Sequence, residues 1–474
     1  MDGNGVLVVD LDGTLVRSDM LYETFWAAFS KSWTTPLAAV AALAGGKAAL
    51  KRRMADMAEV DAAALPYNEA VLLYVKSWRT GGGRTALVTA SDQAVAQRIA
   101  EHLGLFDEVH GSYNGTNLKG ETKAEFLAEK FGEGGFAYIG NDVADLPVWR
   151  RAAKAVVVDA PSGVVARVEE MKSDAEKLPP SVRSLGAYLK ALRPHQWLKN
   201  LLVFLPMLAA HDLSADTFGL SALAFLAFSM VASGVYVLND LLDLGPDRAH
   251  PRKKNRPFAS GVVPVAHGTL MAPALMVAGL ALSLPAGMPF VVVLLAYMVL
   301  TTAYSLYFKR LIVIDICLLA GLYTIRIVAG GAATGIPLSV WLLAFSTFFF
   351  FSLAAVKRQA ELVDGVNAGQ VSARGRGYQV GDLQLVENMA TASGYVSVLV
   401  MALYLNSPDV LNLYGHPQAL WGICPVLLFW ISRMVMVTHR GEMHDDPVVY
   451  AMRDRVSLFC FALILGFAAG GALL

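Results

Sequence analysis

Hydrophobic positions fall into two regimes along the chain. Up to about residue 180, apolar residues come in short runs separated by frequent charges. Beyond it, apolar runs of membrane-spanning length dominate. In the first regime Val6-Leu7-Val8-Val9, Thr85-Ala86-Leu87-Val88-Thr89-Ala90-Ser91 and residues 136–140 are continuous apolar stretches of buried-strand type, and 124–131 is helix-like. A polar stretch over 169–184, with Pro179-Pro180, predicts a linker. The second regime predicts nine spans, near 199–211, 218–238, 264–284, 288–307, 311–332, 338–356, 385–405, 418–438 and 456–473, of which the first is short. The expected organisation is an α/β domain over 1–168, a linker over 169–185, and an all-α integral membrane domain over 186–474.

Charge in the loops predicts orientation. Arg248, Arg252, Lys253, Lys254 and Arg256 follow the second expected span, and Lys309 and Arg310 the fourth. Lys357, Arg358, Arg374 and Arg376 follow the sixth; Arg440, Arg453 and Arg455 follow the eighth. The loops near 212–217, 285–287, 333–337 and 406–417 carry no lysine or arginine. Under the positive-inside rule this alternation predicts an inner-membrane protein with its N-terminal domain in the cytoplasm and, with nine spans, its C-terminus outside. Every candidate phosphate-binding residue then lies on the cytoplasmic face.

Composition narrows the partners. Of 474 residues 55% are hydrophobic and only 16% charged, with positive mean hydropathy, as for a membrane protein. Net charge is zero, so no nucleic acid or other polyanion is expected; a homo-oligomer stays open. Cys317, Cys424 and Cys460 all lie in apolar segments, with neither zinc spacing nor a disulfide framework. The acidic N-terminus lacks a long apolar run, so no signal peptide is expected.

The most informative stretch follows the second expected span. Asn239, Asp240, Asp243 and Asp247 close an apolar helix, and His250-Pro251-Arg252-Lys253-Lys254-Asn255-Arg256-Pro257 follows at once. Carboxylates beside a membrane span are costly and therefore tend to be functional. Oxygen ligands spaced three to four apart share one helix face. Mg²⁺ takes oxygen ligands and keeps positions for substrate phosphates, and neighbouring cations suit the remaining phosphate charge. The stretch reads as a magnesium–diphosphate site at a membrane surface.

At the N-terminus, the first apolar run delivers Asp10-Leu11-Asp12-Gly13-Thr14 at its carboxyl end, where open α/β sheets bind ligands. This resembles motif I of the haloacid dehalogenase (HAD) superfamily. Thr89, Lys123 and Gly140-Asn141-Asp142-Val143-Ala144-Asp145 resemble motifs II, III and IV, with a helical cap expected over 16–83. The resemblance implies a Rossmann-like phosphatase with Asp10 as nucleophile and Asp12 as acid/base. It further implies that Thr89 and Lys123 hold phosphoryl oxygens, and that Asp142 and Asp145 join Asp10 and Asp12 around Mg²⁺. The chain departs from the common Gly-Asp start of motif IV at Asn141, which shifts that metal site by a residue or weakens it.

The run Asn239-Asp240-x-x-Asp243-x-x-x-Asp247, ending in Arg256-Pro257-x-x-Ser260-Gly261, resembles the first signature of the UbiA superfamily of intramembrane prenyltransferases. Members that prenylate aromatic rings carry a second aspartate-rich motif after the fourth span. Here that place reads Tyr304-Ser305-Leu306-Tyr307-Phe308-Lys309-Arg310, with only Asp315 beyond. Together with His250-Pro251-x-Lys253-x-x-Arg256-Pro257, the entry Arg193-Pro194-His195-Gln196-Trp197-Leu198-Lys199-Asn200 resembles the decaprenyl-phosphate phosphoribosyltransferase branch. That resemblance implies transfer of phosphoribose from phosphoribosyl diphosphate (PRPP) to a polyprenyl phosphate, with the leaving diphosphate on Mg²⁺ at Asn239, Asp240, Asp243 and Asp247. Lys199, Lys253, Arg256, Tyr304, Lys309, Lys357 and Arg358 are candidates for the other phosphate oxygens. One Mg²⁺ is expected in each domain.

The combination implies a bifunctional enzyme that transfers phosphoribose and then removes its 5-phosphate. The alternative is an aromatic prenyltransferase using polyprenyl diphosphate, its HAD domain acting on another phosphate or serving as a regulatory module. Arg326, within the fifth expected span, is either functional or paired with a carboxylate. Residues 330–335, glycine-rich, predict close helix packing or a helix end, and Phe348 to Phe351 predict core or lipid packing. His439 and His444-Asp445-Asp446 predict a solvated loop.

Overall fold

The computed structural model describes residues 5–113, 117–180, 184–367, 369, 377–443 and 446–473. Arg374, Arg376, His444 and Asp445 lie outside the described residues. The chain divides into two compact units, one of residues 1–192 with 236–273, the other of 193–235 with 274–474.

The first unit contains a six-stranded parallel sheet in the order β3-β2-β1-β4-β5-β6. Its strands are β1 (Val6–Val9), β2 (Arg84–Asp92), β3 (Glu108–Ser112), β4 (Phe136–Gly140), β5 (Lys154–Val157) and β6 (Glu176–Lys177). Leu7 and Val9 enter one core and Val6 and Val8 the other, so an unbroken apolar run covers both faces of a buried strand. The helices α1 (Met20–Lys31), α2 (Thr35–Leu43), α3 (Lys47–Met57), α4 (Glu69–Thr80), α5 (Gln93–Leu103), α6 (Glu121–Phe131), α7 (Leu146–Arg151), α8 (Ser162–Met171) and α9 (Leu185–Leu192) complete this part. Strand β1 lies between β2 and β4, so strand order reverses there and opens a crevice at its carboxyl end. Two elements occupy sequence expected to be linker or cap: β6 pairs with β5, and α4 puts Val71 and Val75 into the sheet core.

The remaining helices are α10 (Leu205–Ala209), α11 (Ala215–Leu242), α12 (Leu244–Ala249), α13 (Val265–Ser283), α14 (Met288–Leu306), α15 (Ile314–Thr334), α16 (Val340–Asn367), α17 (Leu383–Leu405), α18 (Pro408–Leu413), α19 (Ile423–His439), α20 (Pro447–Ala451) and α21 (Arg455–Leu473). Among the described residues eight helical segments are long and apolar enough to cross a membrane, beginning with Ala215–Leu242 and ending with Arg455–Ala472. The expected span at 199–211 is not one of them. A 3-10 stretch, Pro194–Phe204, runs into the five-residue α10. Pro206 has no N–H to continue a ladder, and 3-10 geometry does not sustain a long regular rod. Among the described residues eight of the nine expected spans are long apolar helices, and the first, expected to be short, is this irregular segment.

In the second unit, α15, α16, α17 and α19 share one core around Tyr323, Phe350 and Trp430. A Cβ on Gly330 would overlap the Val203 carbonyl, and Gly335 ends α15 at φ +74°. The glycine-rich stretch thus gives both close packing and a helix end. Arg358 and Asp315, each 0% exposed, pair at 2.8 Å inside this unit.

The first unit has a further core. Trp26 of α1 packs with Leu241, Phe258 and Val265. Its indole N–H donates to Thr269 Oγ1 at 2.8 Å. The guanidinium of Arg248 in α12 donates to both Glu23 carboxylate oxygens at 2.9 and 2.7 Å, with both side chains buried. Two-pronged pairing of this kind fixes orientation as well as charge. It joins the expected cap to the acidic segment that follows α11.

Candidate active sites

Strand β1 ends at Asp10, beside the carboxyl end of β4. Asp10 Oδ1 accepts from Lys123 Nζ at 2.6 Å, and that ammonium also donates to the Tyr138 hydroxyl at 3.0 Å. Tyr138 in turn donates to Asp145 Oδ1 at 2.6 Å. Asp12 accepts from Met20 N–H at 2.8 Å and from the Ser91 hydroxyl at 2.6 Å. A cavity of about 370 Å³ opens above them, its lining including Asp10, Asp12, Lys123, Asn141, Asp142 and Asp145. Burial, then the neighbouring carboxylates, outweigh Lys123 and push the Asp10 carboxyl up to about 7. Burial and Asp19 push Asp12 up to about 6. The Lys123 ammonium is held above its usual range because Asp10 and Asp145 outweigh the cost of its burial. A group titrating near neutral pH is suited to proton transfer.

The motif IV residues divide their work. Asp145 Oδ2 accepts the N–H groups of Asn141 and Asp142, each at 3.0 Å, so it is engaged as a brace for the loop. Asp142 caps the turn at Ala144 N–H and is exposed. Asn141 lies against motif I: Thr14 Oγ1 donates to its Oδ1 at 3.2 Å, and a Cβ on Gly13 would strike its amide. Among the described residues no three His, Cys, Asp or Glu side chains gather as a ready metal cage. The Asp10 and Asp12 carboxylates and the Asn141 amide are nevertheless oxygen donors of the kind that Mg²⁺ takes, with water and phosphate filling its other positions. Thr89 is fully buried and its hydroxyl accepts from Ser91 N–H at 3.0 Å. It is Ser91, two residues on, that touches Asp12, in the stretch where the pairing of β2 with β3 shifts register.

The acidic segment after α11 also belongs to the first unit. Asp243 N–H donates to Asn239 O at 2.9 Å and Asp247 N–H to Asp243 O at 2.8 Å, so the three residues stack one turn apart. Arg256 bridges Asp240 and Asp247 at 3.2 and 2.5 Å. Burial raises the Asp247 carboxyl despite that partner. The buried Asn239 Oδ1 has no hydrogen-bond partner among the described residues, an orphaned acceptor that a Mg²⁺ ion would satisfy. The Asn239 amide oxygen is thus the group of this segment that best fits the ion, and Arg256 pairs with Asp240 and Asp247. Lys253 is exposed on a short 3-10 turn.

The second unit holds another polar cluster. Lys199 Nζ donates to Asp446 Oδ2 at 2.7 Å and Lys357 Nζ to the same oxygen at 3.0 Å. The Tyr323 hydroxyl donates to Asp446 Oδ1 at 3.2 Å. Burial alone would raise the Asp446 carboxyl, but Lys357 and Lys199 hold it well below the usual carboxylate range. An apolar cavity of about 290 Å³ adjoins this cluster, lined by Lys199 with Leu198, Leu202, Phe350, Trp430 and Phe461. Arg326 donates to Asn200 Oδ1 at 2.9 Å and to Tyr297 OH at 3.3 Å, among the rings of Phe228, Tyr297 and Tyr323. Tyr304 and Lys309 are half-buried near the end of α14.

Two expectations change here. Arg358, expected among the phosphate ligands, is fully buried and spent on Asp315 and Glu361. The segment expected to be a solvated loop carries Asp446, whose side chain is only 8% exposed. Its signal was the Asp446-Pro447 pair, a helix start: Asp446 also caps Val448 N–H. Ser91, Asn141 and Asp446 are the site residues that sequence reasoning did not single out as such.

Both halves match known families. The UbiA prenyltransferase family model covers residues 200–453, and the haloacid dehalogenase-like hydrolase model covers 7–150. The chain belongs to the UbiA prenyltransferase family, with a HAD-like domain fused at its N-terminal side. Over 97% of its length it is 38% identical to the uncharacterized protein y4nM of Sinorhizobium fredii, covering 89% of that protein. Over 60% of its length it is 38% identical to the nodulation protein NoeC of Azorhizobium caulinodans, covering 91% of it. Another 60% match, again at 38% identity, covers 94% of decaprenyl-phosphate phosphoribosyltransferase of Mycobacterium tuberculosis.

Proposed function

We propose that this membrane enzyme transfers 5-phosphoribose from PRPP to a polyprenyl phosphate and then hydrolyses the 5-phosphate, leaving polyprenylphosphoryl ribose. The observation that carries the reading is the match to nearly the whole of a decaprenyl-phosphate phosphoribosyltransferase, in one chain with a HAD-like centre built on Asp10, Asp12 and Lys123.

In the transfer step a phosphate oxygen of the lipid attacks C1 of the phosphoribose, and the bond from C1 to the diphosphate breaks. Asn239 and Asp243 would hold Mg²⁺, which supplies charge neutralisation for the departing diphosphate. Lys253 would be a further cation for PRPP. Lys199 and Lys357 hold the lipid phosphate, and Asp446 keeps both ammonium groups charged and oriented. The adjoining apolar cavity suits the isoprenoid chain. Asp315 is already engaged by Arg358 and the Tyr378 hydroxyl, which argues against a second aspartate-based metal site and hence against the aromatic prenyltransferase alternative.

In the hydrolytic step the Asp10 carboxylate attacks the phosphorus and Asp12 gives its proton to the leaving sugar oxygen. Lys123 balances the charge on Asp10 and the phosphoryl oxygens. Asp12 then takes a proton from the water that attacks the phosphoaspartyl group, releasing phosphate and restoring Asp10. Asp10 and Asn141 would hold Mg²⁺, which neutralises the phosphoryl charge when bound.

The orientation rests on loop charge: the basic segments 248–256, 309–310 and 440–455 would face the cytoplasm, and with the irregular 194–209 segment as a further crossing the HAD-like domain would lie there too.

The test is to incubate the purified full-length protein with Mg²⁺, PRPP and polyprenyl phosphate and to follow lipids by mass spectrometry. Diphosphate, inorganic phosphate and polyprenylphosphoryl ribose are expected. Consumption of polyprenyl diphosphate and an aromatic acid instead would establish the other activity.

A further inference from the structure

The cavity above Asp10 and Asp12 is not closed by the HAD-like fold alone. Six residues from the segment 261–267, which follows Arg256-Pro257-x-x-Ser260 of the transferase signature, line it within the same unit. This wall is built in. Gly261 has φ +72°, and a Cβ there would sit 3.0 Å from both Arg17 Cβ and Pro66 Cβ. Arg248, locked to Glu23, also donates to the Ala259 carbonyl at 3.0 Å. His267 Nδ1 is 2.7 Å from the Tyr188 hydroxyl, which fixes its ring at the cavity.

Facing the wall are groups that the hydrolytic chemistry does not use. Arg17 lines the cavity, and its buried Nε has no hydrogen-bond partner among the described residues. Ser18 also lines it, is 4% exposed, and its hydroxyl has no partner among the described residues. Orphaned donors of this kind are costly unless a ligand meets them. At about 370 Å³ the cavity exceeds the needs of a phosphate alone and lies within the ~300–1,000 Å³ range of small-molecule sites.

We propose that residues 261–267 form a substrate-selecting wall of the phosphatase centre, and that Arg17, Ser18 and His267 bind the sugar side of its substrate. The substrate class is a sugar phosphate bearing a second anionic group beyond the scissile phosphate, with Arg17 on that second anion and Ser18 and His267 on sugar oxygens. This rests on reading the HAD-like centre as a phosphatase. The transferase family's own segment thus decides which phosphomonoester is hydrolysed.

The experiment uses full-length protein in detergent with Mg²⁺ and preformed substrates, so transfer is not required. Phosphate release is measured from p-nitrophenyl phosphate, from ribose 5-phosphate, and from ribose 5-phosphate carrying a methyl phosphodiester at C1. The readout is the ratio of kcat/KM values, diester sugar over aryl phosphate. A charge-assisted contact contributes ~1.5–3 kcal/mol, so Arg17→Ala should lower the ratio by roughly ten- to a hundredfold. Arg17→Lys should recover part of the loss. His267→Ala and Gly261→Ala should each lower the ratio several-fold. If every variant loses activity equally on all substrates, the wall is structural and the proposal fails. Wild type that favours ribose 5-phosphate over the diester leaves the phosphatase reading standing and overturns the second-anion assignment. Wild type that releases phosphate from none of the three overturns both.

Discussion

The Glu23–Arg248 pair gives the most direct test of how the first unit is held together. Glu23→Ala leaves the Arg248 guanidinium, 7% exposed, without its two carboxylate bonds of 2.9 and 2.7 Å. Removing one partner of a buried pair costs about 3–5 kcal/mol, mostly because the remaining charge cannot reach water. Replacing both partners by apolar residues of similar volume removes that penalty, so Glu23→Met with Arg248→Leu should cost far less than Glu23→Ala alone. Hydrogen exchange followed by mass spectrometry on detergent-solubilised protein reads the effect locally. At 1.4 kcal/mol per decade, amides of Met20–Lys31 and Leu244–Ala249 should exchange roughly a hundredfold to several thousandfold faster in the single variant. Amides of β4 should change little, because Phe136 and Tyr138 are buried in a core to which neither α1 nor α12 contributes. Single-variant exchange within about threefold of wild type in both helices would refute the reasoning. So would a double variant no better protected than the single one.

Three further outcomes are expected. Asp10→Asn should stop phosphate release yet leave transfer intact, so lipid-linked phosphoribose accumulates in the mass spectrum; loss of both products would mean a disrupted fold. Asp243→Ala should nearly abolish diphosphate release from PRPP at limiting Mg²⁺, and full activity there would remove its metal role. Protease added to sealed inside-out vesicles should cut near residues 178–184, whereas protection there with cutting of right-side-out vesicles would reverse the topology.

The legible parts of this chain were those set by local chemistry. Val6 to Val9 announced a buried strand because both faces of β1 are covered, and the carboxylates at its end needed no tertiary knowledge. The i, i+4 stacking of Asn239, Asp243 and Asp247 was likewise implicit in their spacing. What escaped depends on long-range partners. Arg358 and Lys357 are neighbours in sequence, yet one is buried against Asp315 and the other reaches Asp446, eighty-nine residues away. No periodicity distinguishes those fates. Hydropathy at 199–211 was correct as composition, but a window average cannot see that Pro206 interrupts the ladder and that Pro194–Phe204 is a 3-10 run. At β2 the error was one of register: Thr89 matched the motif, and the strand's last hydroxyl, Ser91, made the contact.

The location of these departures bears on why the domains share a chain. A simple tether would raise local concentration and leave each fold self-contained. Here the segment 236–273, inside the UbiA match, is instead part of the HAD-containing unit. It carries the acidic stack, supplies Arg248 to Glu23, and lines the cavity above Asp10. Separating the domains at the 178–184 stretch would therefore leave α1 without the partner of Glu23 and the phosphatase cavity without its 261–267 wall. An N-terminal fragment ending there should fold its sheet, whose cores lie within residues 6–178, and yet handle sugar substrates poorly. The two domains thus share packing, with the UbiA segment 236–273 built into the HAD-containing unit and lining its cavity.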